Sequence, residues 1–232
     1  MVSVLTTSYR WSYSGLMKKK NNLLLLGKQI IFDESEVLFD FTASKLTKQH
    51  QKLEEYFKVM AGKWYLDGDY LIGEEPKNQG GIIYTNTPFE GNILVTAYLK
   101  TMLPATHDVN AVWHSKWDET TDYLGDSYVC GLNGWYEGKA GLERCGDNGF
   151  YASTSLYNYK PGELVKMQFG SINNHIFLFV DDKLIMEMHD PTPLINGYVG
   201  ISPYCTVLMV KSLEVRKIKY IERIQKYEPE FE

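Results

Sequence analysis

The sequence predicts an all-β protein of antiparallel strands, arranged as a sandwich or a barrel. Three observations carry that expectation. Short runs of alternating apolar and polar residues recur about every 8–12 residues, with Gly, Asn, Asp or Pro between them. Only one stretch shows a helical period. Strands and helices never alternate, which excludes a parallel sheet wound with crossover helices.

Taken in order, residues 1–35 read as an irregular N-terminal segment with one short strand at 29–32. The helix candidate spans residues 43–60. Thr42 or Ser44 can cap it, and Leu46, Leu53, Tyr56 and Phe57 recur at helical spacings. Its apolar stripe is thin and its outer face is rich in Lys and Gln, so it is expected at the periphery of a sheet. Strands at 64–66 and 70–72 flank Asp67-Gly68-Asp69, a hairpin signal because Gly68 takes a positive φ without steric cost. A strand at 81–85 follows. In residues 93–100, Ile93, Val95, Ala97 and Leu99 share one face and Thr96, Tyr98 and Lys100 the other. Further strands are expected at 109–117, 127–132, 142–145, 150–156, 164–170, 175–180, 183–188, 198–202 and 207–219. Asn173-Asn174 and Asp181-Asp182 supply tight turns in this series. With no internal repeat and no low-complexity linker, residues 36–232 read as a single β-sandwich domain with the helix outside it.

Composition narrows the function classes. Lys plus Arg number 24 against 29 Asp plus Glu, a net charge of −5, which argues against a nucleic-acid partner bound through a generally basic surface. No apolar run approaches the roughly 20 residues that span a bilayer, so no membrane partner is expected. Lys18-Lys19-Lys20 precede four leucines, but Gly27, Lys28 and Gln29 cut that run short of a secretory signal core. Cys130, Cys145 and Cys205 show neither CxxC nor zinc spacing and read as thiols in a reducing compartment; the expected location is cytoplasmic. P-loop, GxGxxG, GxSxG and HExxH motifs are absent. What stands out is aromatic content, with 17 Tyr, 10 Phe and 5 Trp. Tyr joins an apolar ring to a hydroxyl and suits a half-wet sheet face or a ligand groove.

Residues 62–73, Gly-Lys-Trp-Tyr-Leu-Asp-Gly-Asp-Tyr-Leu-Ile-Gly, followed by Gly80-Gly81-Ile82-Ile83-Tyr84, resemble the opening of the concanavalin A-like lectin/glucanase superfamily. They are similar in particular to its 3-keto-disaccharide hydrolase group and uncharacterised relatives. Residues 176–184 and 193–201 resemble that superfamily's late hairpin and closing strand, with Asp182 where glycine is usual. The resemblance spans residues 62–202 and implies a two-sheet antiparallel jelly-roll sandwich with a saccharide ligand on a concave sheet face. Residues 141–148, Gly-Leu-Glu-Arg-Cys-Gly-Asp-Asn, resemble the strand whose glutamate faces the sugar in that group, which implies this position for Glu143. The Glu-x-Asp-x-x-Glu pattern of the laminarinase-type glucanases is absent, and with it support for retaining hydrolysis on that pattern.

The densest chemical constellation lies in residues 113–151. Sugar rings stack on Trp and Tyr and hydrogen-bond to Asp, Glu, Asn, Arg or His. Glu143, Glu137 and His114 are the candidate catalytic residues, and Trp113, Trp117, Trp135, Tyr136 and Arg144 the candidate substrate-binding ones. Alternation puts Val109, Ala111, Trp113, Ser115 and Trp117 on one face, which is either core or groove, and His114 on the other. Trp135 and Tyr136 fall in a loop, where aromatics without a core role serve ligands. Glu137 and Glu143 are near enough in sequence for the roughly 5–9 Å separation of glycosidase carboxylates. Arg144 is expected on the face opposite Glu143, so that both line one groove only if a bulge intervenes. Asp118, Glu119, Asp122 and Asp126 offer hard oxygen ligands that suit Ca2+, the one candidate cofactor, without the spacing of a Ca2+ loop. The function expected is that of a carbohydrate-active protein, a glycoside hydrolase or lyase; the alternatives are a lectin-like binding sandwich and a protein-interaction domain.

Overall fold

The computed structural model describes residues 22–75, 80–134 and 138–223. In chain order the strands are β1 Asn22–Leu25, β2 Lys28–Ile31, β3 Glu36–Thr42, β4 Phe57–Ala61, β5 Lys63–Asp67, β6 Tyr70–Glu75, β7 Ile82–Thr85, β8 Phe89–Glu90, β9 Ile93–Thr101, β10 Val109–Ser115 and β11 Trp117–Asp118. They continue with β12 Tyr123–Leu124, β13 Ser127–Leu132, β14 Ala140–Cys145, β15 Phe150–Thr154, β16 Val165–Ile172, β17 His175–Val180, β18 Lys183–His189, β19 Asn196–Ile201, β20 Thr206–Lys217 and β21 Tyr220–Glu222. The helix α1 is Ala43–Gln49.

Two large antiparallel sheets pack face to face as a jelly-roll sandwich, the architecture the sequence predicts. The front sheet has the order β15-β14-β13-β10-β19-β7-β4, with β8 added on β19. The back sheet has the order β18-β17-β16-β9-β20-β6-β5, and β3 pairs with the second half of β20. Period-two alternation sends one residue set from each strand into the space between the sheets. Trp113, Tyr128 and Phe169 meet there, with ring centroids 5.0 and 5.5 Å from the indole.

A third layer closes the outside of the back sheet. The sequence of residues 1–35 reads as irregular but for one strand at 29–32; that strand is β2, and with β1 it forms a hairpin over residues 22–31 that β21 extends to a three-stranded sheet. Leu23, Leu25 and Ile30 in this cap bury Leu94, Ile172, Phe177 and Phe179. That cover explains why β17 is apolar on both faces instead of alternating. Among the described residues the outside of the front sheet carries no such cap, and there the open cleft lies.

The helix expected over residues 43–60 is shorter than its apolar period implies. His50 adopts the left-handed conformation and its N–H turns back to the carbonyls of Leu46 and Thr47, ending α1. Leu53–Glu55 is a 3-10 turn, and Phe57 begins β4, which pairs with β7. Ladder bonds and the packing of Phe57 on Phe41, with centroids 4.7 Å apart, outweigh local helix propensity. The remaining helix seals the place where β3 and β6 meet the same edge of β20, burying Ala43 and Leu46.

One irregularity reorients the centre of the front sheet. The pairing of β10 with β19 shifts between Val112 and Ser115, and His114 takes φ 44. Gly197 makes room for this bulge, because a Cβ there would lie 2.3 Å from the His114 carbonyl carbon. The bulge turns Ser115 from the interior to the outer face. There its Oγ is 2.6 Å from the Tyr84 hydroxyl and 2.7 Å from Ser127 Oγ.

Candidate functional site

Strand register builds the floor of the cleft. On the outer face of the front sheet Val112, Val129, Glu143 and Tyr151 lie side by side on β10, β13, β14 and β15. The next row along is Asn110, Gly131, Gly141 and Ser153. Two adjacent glycines leave this row without side chains between Asn110 and Ser153. The walls come from connections: Asp108 just before β10, Tyr123 and Leu124 on β12, and Ser202 and Tyr204 after β19. Together with Asn110, Val129, Gly134, Glu143 and Cys145 they enclose a cleft of about 360 Å3.

Its electrostatics are acidic. Burial raises the pKa of Asp108 above the ordinary carboxylate range, and hydrogen bonds from Asn110 and His107 offset part of that rise. Nδ1 of His107 is 2.9 Å from Oδ2 of Asp108, and Nδ2 of Asn110 donates to Oδ1 at 3.4 Å. Gly134 leaves this carboxylate its place, since a Cβ there would lie 2.4 Å from Asp108 Oδ1. Burial pushes the Tyr123 phenol up to about 12, helped by the repulsion its phenolate would meet from the acidic groups of Cys145, Tyr204, Glu143 and Asp108. The Cys145 thiol is likewise pushed up to about 12, by burial and by the Glu143 carboxylate, to which it donates at 3.6 Å. A thiol so protonated is a hydrogen-bond donor rather than a nucleophile.

Of the residues singled out by sequence, Glu143 lines this cleft. Arg144, expected among the substrate-binding residues, does not. It points inward, 5% exposed, and its Nη1 donates to Asp190 Oδ1 and Oδ2 at 3.0 and 2.8 Å. The Tyr128 hydroxyl donates to the same carboxylate at 2.6 Å. Trp113 is 0% exposed at the centre of the sandwich and no ligand reaches it. Trp117 is half-buried against the outer-face cluster of Ile82, Tyr84, Val112 and Val129 and is not among the residues lining the cleft. The bulge at His114 breaks the shared face that alternation assigns to Trp113 and Trp117. Trp135, Tyr136 and Glu137 lie outside the described residues.

His114 is also no catalyst. It is 0% exposed, and its Nε2–H donates to the Gly91 carbonyl at 3.1 Å. Burial lowers its pKa from 6.5 to about 4. The folded protein therefore holds it neutral where the unfolded chain already binds a proton. Its share of stability is complete above pH 6.5 and is lost as the pH falls to about 4, a loss of about 3 kcal/mol by linkage. Urea unfolding across this range is expected to show a flatter pH dependence in His114→Asn, which tolerates the left-handed backbone, than in the parent. An unchanged slope would assign the loss to other groups.

In the acidic loop, the Asp118 carboxylate accepts hydrogen bonds from the Thr120 N–H and the Thr121 hydroxyl, both at 2.9 Å, which lower its pKa. Among the described residues no group of three or more His, Cys, Asp or Glu is placed to hold a metal ion. The cleft also uses residues that sequence reasoning passed over: Asp108, Asn110, Ser202 and Tyr204. Asp108 and Asn110 flank Val109 at a spacing of two, so an outward polar pair at the start of β10 was a readable signal. Ser202 and Tyr204 offered none.

No family model matches this chain, and no curated protein matches it. Solved structures do share its fold. A protein of unknown function with a galectin-like fold from Bacillus subtilis superposes with a TM-score of 0.61 at 10% identity, covering 81% of this chain and 98% of that one. An endo-β-1,3-glucanase from Pyrococcus furiosus gives 0.59 at 11% identity, covering 86% and 98%. The carbohydrate-binding module CBM66 from Bacillus subtilis gives 0.51 at 11% identity, covering 72% and 95%. At such identities the likeness is one of fold.

Proposed function

We propose that this protein is carbohydrate-active and cleaves a glycoside or oligosaccharide in the front-sheet cleft, as a hydrolase or lyase. One observation carries the reading: two carboxylates, Asp108 and Glu143, line a single cleft, and burial makes one of them a weaker acid than usual. An acid whose pKa is raised, beside a second carboxylate, is the pairing that glycoside cleavage needs. Asp108 then protonates the leaving oxygen, and Glu143 acts as base or nucleophile. Asp108 is assigned the acid role because burial raises its pKa. Tyr151, beside Glu143 and 56% exposed, offers a ring face to the sugar. The sequence likeness of residues 141–148 to the 3-keto-disaccharide hydrolase group supports a small glycoside as substrate. The thiols Cys130, Cys145 and Cys205, none of them joined in a disulfide, support action in a reducing compartment.

The test is a screen of glycosides for new reducing ends or unsaturated products, followed by a pH profile. Activity is expected to fall as the pH rises through the raised pKa of Asp108, because the acid must carry its proton. Asp108→Asn is expected to lose that alkaline limb together with most of the rate. A variant that retains both removes Asp108 from the mechanism. A second reading, binding without cleavage, is favoured by Asn110, a cleft residue whose Oδ1 has no hydrogen-bond partner among the described residues. Sugar affinity without any product selects it.

A further inference from the structure

The cleft continues past Tyr123 and Tyr204. The same two rings line a second hollow of about 520 Å3, together with Glu75, Gly80, Thr121 and Asp122. Gly80 makes this junction possible. Its φ is +70, and a Cβ on it would lie 2.4 Å from Cε2 of Tyr123, so the phenol ring rests directly on the backbone. Each lobe alone is of ligand size, and joined they exceed what one ring needs.

Both lobes are lined by carboxyl groups. Asp108 and Glu143 line the first, Glu75 and Asp122 the second, and no Lys or Arg is among the described residues lining either. A separate observation indicates what such a groove receives. Asn110 is 7% exposed, lines the first lobe, and presents a buried Oδ1 with no donor among the described residues. A buried acceptor left unpaired is costly, and a ligand N–H or O–H removes that cost.

We infer that the two lobes form one groove for an oligosaccharide of more than one ring, selective for amino sugars over uronic or sulfated sugars. The inference rests on the reading of the cleft as a saccharide site. Hydroxyl and ammonium groups donate to the amide and carboxylate oxygens of the groove. A carboxylate or sulfate on the sugar sets like charges together and brings no donor in exchange. Because the groove is open to solvent, this discrimination is screened by salt.

Calorimetric titration of the full chain tests it. The probes are tetrasaccharides of glucose, glucosamine and glucuronate, each in β-1,3, β-1,4 and α-1,4 linkage, with the monosaccharides alongside, at low and physiological ionic strength. Within a linkage that binds, the glucosamine form is expected to bind about tenfold more tightly than the glucuronate form, with a gap that narrows as salt rises. Asp122, at φ 53, tolerates Asn, and Asp122→Asn is expected to narrow the gap between the glucosamine and glucuronate forms. Equal binding of glucosamine and glucuronate forms, a gap that Asp122→Asn leaves intact, or a monosaccharide that binds as well as its tetrasaccharide overturns the inference while the saccharide reading stands. Failure of every sugar to bind overturns the saccharide reading itself.

Discussion

Glu143→Gln is expected to lower turnover by about 100- to 10,000-fold, the usual contribution of a positioned acid or base, with little change in melting temperature. Glutamine fills the same space between Val129 on β13 and Tyr151 on β15, and its Oε1 still accepts the hydrogen bond from Cys145. What is lost is the negative charge and the ability to take a proton or attack carbon. Sugar affinity should therefore stay within a few-fold of the parent's, since the Asn110 and Tyr151 contacts are untouched. Product formation by the purified variant, measured beside its Kd and thermal melt, decides the matter. Full activity in a correctly folded Gln variant removes Glu143 from the chemistry, and with it half of the carboxylate pair.

Replacing the next residue is expected to act on the fold instead. Arg144→Ala should cost about 3–5 kcal/mol, the range for breaking a buried ion pair from one side. Asp190, 1% exposed, would be left with the Tyr128 hydroxyl and the N–H and hydroxyl of Thr192 as partners for an uncompensated charge. The same hydroxyl accepts the Leu194 N–H at 2.9 Å, so the loop leading to β19 loosens with it. Urea unfolding measures the loss. A double replacement, Arg144→Met with Asp190→Asn, removes both charges and should recover most of it. If Arg144→Ala costs less than about 1 kcal/mol, the pair is no more important than an exposed one.

These neighbours show where sequence was informative and where it was not. Alternation within residues 93–100 suffices to place β9, and the glycine of Asp67-Gly68-Asp69, at φ +55, marks the β5–β6 hairpin. The opposed directions of Glu143 and Arg144 follow from period two alone. Three things escape such reasoning. The end of α1 depends on a left-handed His50, a conformation with no residue preference as strong as that of glycine. The bulge at His114 is set by a partner strand more than 80 residues away, where Gly197 gives it room. The cleft joins Asp108, Tyr123, Glu143 and Tyr204, whose proximity is a product of sheet order, and local patterns do not encode sheet order.

Sheet order also governs how the chain emerges from the ribosome. In the back sheet β20 is the strand that joins β9 to β6 and β3, yet it is synthesised after all three of them. Until residue 217 has been released, β9 and β6 each wait with an open edge. Until residue 222 has followed, the β1–β2 hairpin lacks the third strand of the cap over Phe177 and Phe179. A nascent chain therefore carries unpaired strand edges and an incompletely closed apolar surface until β20 and β21 emerge, which makes it a natural client for chaperones. Truncations ahead of Tyr220 hold the protein permanently in that vulnerable interval.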